Sequence, residues 1–190
     1  MINIGFAMCG SFCTFKKTVE QIGALKSNEE YNVVPIMSET AYSTDTRFGT
    51  AESFNRKITE ITNNPIIHTI SGAEPIGPKK LLDILVVSPC TGNTLAKLAN
   101  GITDTPVTLA VKAHLRNQRP VVIAVSTNDA LGTAARNIGT LLNSKHIFFV
   151  PMRQDDYIGK PNSIVADFTK IPETVALALK GKQIQPLLTS

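Results

Sequence analysis

The chain has 190 residues, 43% of them hydrophobic, and its 19 Lys and Arg against 15 Asp and Glu give a formal net charge of +4. That length suits one domain spanning 1–190, able to bury a core without disulfides. No apolar run approaches the roughly 20 residues that cross a bilayer, and MINIGFAMCG lacks a basic stretch followed by a long apolar core, so neither a membrane span nor a leader is expected and a cytoplasmic address is. The cations, Lys16, Lys17, Lys79, Lys80, Arg116 and Arg119 among them, are scattered without aromatic interleaving, which points to an acidic small molecule and away from nucleic acid. Cys9, Cys13 and Cys90 are odd in number and lack metal-type spacing, so they are expected as reduced thiols.

Ile2 to Ala7 has a strand pattern and runs into Met8-Cys9-Gly10-Ser11, after which Thr14 to Lys26 carries apolar residues at helical intervals. This is the opening of a βα unit, with Gly10 allowing a tight turn and Ser11 placed to cap the helix or to meet a phosphate. Tyr31 to Met37 is a second strand, in which Pro35 suits an edge better than a central ladder. It ends at Ser38, a hydroxyl at the same edge as Ser11, and opens a long polar loop to Thr50 whose one cation, Arg47, suits two-point binding of a carboxylate or phosphate. Ala51 to Thr62 reads as a helix and Ile66-Ile67-His68 as a short strand. The loop SGAEPIGP, Ser71 to Pro78, carries Glu74, and Lys79 to Leu82 reads as a helical turn.

The most informative stretch is Leu85 to Leu98, LVVSPCTGNTLAKL. A short apolar run rich in β-branched side chains predicts a buried strand. The following turn, Ser88 to Thr94, supplies hydroxyls, an amide and a glycine before helical spacing resumes. One hydroxyl suffices for an N-cap, here Thr91. Thr91, Gly92, Asn93 and Thr94 together predict an anion or cofactor site at the carboxyl edge of an open α/β sheet, where free N–H groups and the helix dipole favour phosphate.

That helix stops near Asn100-Gly101, and Asp104-Thr105-Pro106 starts another that lasts to about Asn117. Val121 to Val125 is the next buried strand, ending in a third polar turn, Ser126-Thr127-Asn128-Asp129. A helix from Ala130 to Asn143, a strand from Ile147 to Val150, an irregular excursion PMRQDDYIGKP and a closing helix from Ile164 to Lys180 complete the chain. About six strands alternating with helices predict a Rossmann-like three-layer α/β domain, flavodoxin-like, with a parallel sheet and right-handed crossovers.

The residues from Pro89 to Leu115, PCTGNTLAKLANGITDTPVTLAVKAHL, resemble the signature of the flavoprotein family that includes the FMN-dependent cysteine decarboxylases and the flavin prenyltransferases. CGS at Cys9 to Ser11 resembles that family's phosphate turn, Ser38 its hydroxyl after the second strand, and STND its Pro-Ala-Met-Asn or Pro-Arg-Glu turns. Ser71 to Pro78 and SPCTGNT together are similar to the dipicolinate synthase branch of the family.

The resemblance implies FMN, with Gly10, Ser11 and Ser38 at its phosphate and ribityl end. Ser88 and Thr91 to Thr94 would hold the phosphate or ring edge, and Ser126 and Asn128 would lie near the isoalloxazine. It also implies homo-oligomers and a companion, the A subunit of dipicolinate synthase, that carries a dinucleotide-binding domain and so NAD(P). With that companion, the resemblance implies a joint reaction that turns dihydrodipicolinate into dipicolinate in spore-forming bacteria. Oxidising a dihydropyridine dicarboxylate needs a hydride acceptor, a base and cations for two carboxylates. The candidate bases are Glu74 and His68, and the candidate anchors Arg47, Lys79 and Arg136.

The chain departs from its relatives at two places. The decarboxylases carry a histidine shortly before the central strand, where this chain has Glu74, Pro75 and Pro78 and where His68 comes too early; the prenyltransferases carry an arginine where this chain has Ser126. A scaffold protein that only binds flavin or substrate is the alternative from another class, and a decarboxylase or prenyltransferase with relocated groups is a third.

Overall fold

The computed structural model describes residues 1–190. Strands β1 (Ile2–Met8), β2 (Tyr31–Met37), β3 (Ile84–Cys90), β4 (Val121–Thr127) and β5 (Ile147–Phe149) form a parallel sheet in the order β2-β1-β3-β4-β5. All seven residues of β3 are buried, as a strand covered on both faces must be. Alternation assigns its side chains to the two layers. Leu85 and Val87 join Val121 and Ile123 in one core, which α5 (Gly92–Ala99), α6 (Pro106–Arg116) and α7 (Ala135–Leu142) cover. Ile84 and Val86 join Ile4 and Phe6 in the other, under α1 (Phe15–Lys26), α3 (Ala51–Thr62) and α8 (Ile171–Ala178). Two short helices, α2 (Glu39–Ser43) and α4 (Ile70–Ala73), fill the connections around β2.

The α/β fold class and the parallel sheet agree with the sequence reading, and four of its elements need correction. Ile66 to His68 is a single bridge to Ile36 and not a strand. Ile67 donates to Pro35 O and accepts from Met37 N, but Pro35 and Pro65 both lack the N–H that would extend the ladder, and the Asn64 amide reaches Val33 O instead. The region read as an excursion holds β6 (Met152–Arg153), and the start of the expected closing helix is β7 (Ile164–Ala166). These two form an antiparallel extension that pairs with Ser126 and Thr127 of β4 beyond the point where β5 ends. The helix expected from Ala130 starts only at Ala135, after turns in which Gly132 N and Ala134 N both donate to Asp129 O. Part of the long loop after Ser38 is α2, and the Ser71 to Pro78 loop is mostly α4 and a 3-10 turn at Glu74–Ile76.

The helix ends near the central strands follow their sequence signals. Thr105 and Thr108 form a reciprocal capping box at the start of α6, each hydroxyl accepting the other residue's N–H at 3.1 Å, and Gly101 (φ +70) turns the chain between α5 and α6. His114, buried on α6, lies with Nε2 3.1 Å from Pro120 O, and burial pushes its pKa down to about 4.

Candidate functional site

Parallel strands release their polar turns at one edge, and here those turns enclose a cleft of about 670 Å³. One wall is Gly10 to Thr14 after β1, the floor is Thr91 to Asn93 after β3, and the other wall is Ser126 to Asp129, the last two residues of β4 and the turn that follows. Arg47 and Phe48 close the β1 side, while Asp155, Lys160 and Ser163 to Val165 close the β4 side. The two walls meet where Ser11 Oγ lies 2.9 Å from Ser126 Oγ, joining residues 115 apart in sequence.

The start of α5 is tightly organised. Thr91 Oγ1 accepts from Thr94 N at 3.3 Å and donates to Thr94 Oγ1 at 3.1 Å, so the cap is complete within the turn. Gly92 lets the β4 turn come close: a Cβ there would stand 2.8 Å from both Asp129 Oδ1 and Thr127 Oγ1. Thr127 Oγ1 donates to Asp129 Oδ1 at 2.5 Å, and this pair brings a carboxylate to the positive end of the α5 dipole. Across the cleft, Arg47 lies 4.9 Å from the centre of the Phe48 ring. The neighbouring Ser163 hydroxyl and, less strongly, the Lys160 ammonium hold the Asp155 carboxyl below the usual carboxylate range.

Two thiols lie behind the cleft and do not enter it. Burial pushes Cys9 up to about 11, against weaker opposing contacts from the Thr94 hydroxyl, and burial also raises Cys90 well above its ordinary value. Both are therefore neutral packing groups of the core shared with Val87 and Val125. Cys13 is exposed and lines the cleft, its Sγ 3.9 Å from Ser11 Oγ. All three cysteines are unpaired.

Of the residues singled out in the sequence, Gly10, Ser11, Arg47, Thr91, Gly92, Asn93, Ser126 and Asn128 line this cleft. Seven others do not. Ser38 caps α2 by accepting from Ala41 N at 3.2 Å. Ser88 is buried within β3 with its hydroxyl unpartnered, and Thr94 is buried behind the α5 cap. His68 stacks on Tyr42 with ring centres 3.7 Å apart and planes 2° from parallel. Glu74 belongs to the 3-10 turn after α4, Lys79 to the turn before β3, and Arg136 to the exposed face of α7. The sequence reading missed Phe12, Phe48, Asp155, Lys160 and Ile164 as lining residues. The only trace of Asp155 and Lys160 was the charge of a segment with no periodicity, while Ile164 was expected to open the closing helix.

The family model described as Flavoprotein matches residues 1–176. The chain belongs to that family. The B subunit of dipicolinate synthase from Bacillus subtilis (strain 168) is 46% identical to this family member over 186 residues, 98% of this chain and 92% of the relative. The crystal structure of the corresponding B subunit from Bacillus halodurans has a TM-score of 0.91 at 43% identity, covering 100% of this chain and 96% of that one. The FMN-dependent cysteine decarboxylase SpaF, at 21% identity and a TM-score of 0.68 over 95% of this chain and 96% of its own, shares the fold. The resemblance drawn from Pro89 to Leu115 is thus borne out. No helix of this flavoprotein-family chain is long and apolar enough to cross a membrane.

Proposed function

We propose that this chain binds FMN in the cleft and acts with the A subunit of dipicolinate synthase to convert dihydrodipicolinate into dipicolinate. The observation that carries the proposal is the junction of Ser11 with Ser126, which makes one cleft of the β1, β3 and β4 turns. Its volume lies within the roughly 300–1,000 Å³ of sites that take molecules of cofactor size. Identity of 46% over almost the whole chain to a dipicolinate synthase B subunit supports the substrate class.

The residues present fit a flavin. Phe12, Phe48, Ile164 and Val165 offer apolar surface for ring faces, while Asn93, Asn128 and the Ser11 and Ser126 hydroxyls offer hydrogen bonds for ring edges and a ribityl chain. When bound, a flavin supplies hydride acceptance, which the side chains of this protein lack. The protein's own part is to orient the substrate, exclude water and take a proton. Asp129, fixed by Thr127 at the start of α5, is the carboxylate nearest the floor of the cleft and is the group proposed to receive it. Arg47 is the proposed anchor for an acid group. His68, Glu74, Lys79 and Arg136 reach no part of the cleft lining and can serve this reaction only at a surface shared with another chain. NAD(P) on the companion chain and a homo-oligomer that completes the cleft belong to the same proposal.

The His68–Tyr42 stack favours a second reading, because it occupies one expected base in a structural contact. In that reading the chain binds flavin or substrate and shapes the active site of its companion without turnover of its own. Calorimetric and spectral titration with riboflavin 5′-phosphate decides whether flavin binds: a shifted flavin spectrum with saturable heat is expected, and no heat refutes the cofactor. Bleaching of the bound flavin by dihydrodipicolinate then separates redox work from scaffolding.

A further inference from the structure

Two cations line the cleft, and neither is committed to a strong partner. Arg47, on the loop between α2 and α3, takes part in none of the chain's ion pairs. Lys160, on the loop between β6 and β7, stands 3.7 Å from Asp155 Oδ2, with 59% of its own side chain and 34% of its partner's exposed. An ion pair that loose and that wet contributes little and exchanges easily.

The two cations belong to opposite walls. The loop bearing Arg47 leads into α3, which packs on α1 beyond β1, with Phe54 and Phe15 rings 5.3 Å apart. The loop bearing Lys160 is tied to the end of β4, where Leu131 N donates to Asn162 O at 3.0 Å and Ser163 Oγ donates to Thr127 O at 3.3 Å. Asp129, on the β4 wall where it meets Gly92 of the floor, repels a carboxylate placed beside it. An acidic ligand in the cleft therefore gains by placing its acid groups at Arg47 and at Lys160 and its neutral part beside Asp129.

We propose that Lys160 is a specificity-determining residue which, paired with Arg47 on the facing wall, selects a small ligand bearing two acid groups over one bearing a single acid group. The proposal rests on the dicarboxylate reading above and assigns the residue that reads the second carboxylate. A flavin phosphate offers similar anionic chemistry, so the experiment separates the two sources. Calorimetry on the full chain uses pyridine-2,6-dicarboxylate, pyridine-2-carboxylate, riboflavin 5′-phosphate and riboflavin as probes.

Lys160→Met is expected to weaken pyridine-2,6-dicarboxylate by about tenfold or more, as loss of a charge-assisted contact does, and to change pyridine-2-carboxylate and riboflavin 5′-phosphate by no more than about twofold. Lys160→Arg is expected to retain most of the selectivity, and Arg47→Met to weaken the dicarboxylate by a similar factor. An unaltered dicarboxylate affinity in Lys160→Met overturns the proposal, as does a wild-type chain without preference for two acid groups over one. If either substitution weakens riboflavin 5′-phosphate but neither riboflavin nor the dicarboxylate, that cation serves the phosphate and the paired anchor is refuted. Failure of the flavin reading is seen separately, as absence of flavin binding to the wild-type chain, and leaves the carboxylate readout intact.

Discussion

Replacing Gly92 with Ala tests the packing at the centre of the cleft. The added methyl would stand 2.8 Å from Asp129 Oδ1 and from Thr127 Oγ1, so both oxygens must retreat and the 2.5 Å bond between them is lost. Thr127 cannot retreat by bending a long chain, because a β-branched side chain can only change rotamer. Loss of a hydrogen bond to a charged group costs about 1.5–3 kcal/mol. Ala in place of Gly within a helix returns about 1 kcal/mol, leaving a net loss of roughly 0.5–2 kcal/mol. For a chain of this size each kcal/mol is worth about 2–4 °C in Tm, so a fall of roughly 1–8 °C is expected. Gly139→Ala in α7 supplies the internal control. Nothing lies within 4 Å of its added methyl, and it should raise stability by about 0.5–1 kcal/mol. Urea unfolding of the three chains measures both effects. If Gly92→Ala proves as stabilising as Gly139→Ala, Thr127 and Asp129 do not press on α5 and the account of the cleft floor fails.

Other outcomes follow from the same packing. Gly5→Ala would place a methyl 2.5 Å from Leu82 Cδ1 and 2.6 Å from Leu85 Cδ1 in the buried layer, and overpacking of that kind should cost about 1–3 kcal/mol in denaturant unfolding. Because the pKa of His114 is lower in the folded chain than in the unfolded one, the unfolded state binds the extra proton first. Its contribution is present above about pH 6.5 and declines as pH falls towards about 4. A loss of up to roughly 3 kcal/mol across that window is expected, and His114→Gln should flatten the pH–stability curve there. Thr105→Ala removes one half of the α6 capping box and should cost about 1 kcal/mol, measurable as a lower urea midpoint with unchanged slope.

Much of the fold was legible in the sequence because its signals are local. The apolar runs at Ile84 and Val121 can only be buried strands, and both are buried throughout their apolar residues. Thr91 and Thr105 announce helix starts by the same short-range bonds they make in the structure. The errors fell where a long-range partner decides the outcome. Ile164-Val165-Ala166 has a strand's composition, but only its pairing with the end of β4 stops it from continuing into α8. Ile66 to His68 has the composition of a strand too, and the missing N–H groups of Pro35 and Pro65 leave it only one bridge.

The alternation of the central strands with their helices and the polar turns at the strand ends, hence the edge of the sheet where open α/β folds take ligands, were written in the chain itself, since each follows from neighbours a few residues apart. Which of those turns share a cleft was settled by the folded arrangement alone. It sent Ser38 to cap α2 and sealed Ser88 inside β3. It also brought Lys160, which no periodicity marks, into the same cleft as Arg47. Capping and strand burial depend on contacts within a turn or two. The walls of a cleft depend on the register of strands and the seating of loops far apart in the chain, as the contact of Ser11 with Ser126 shows.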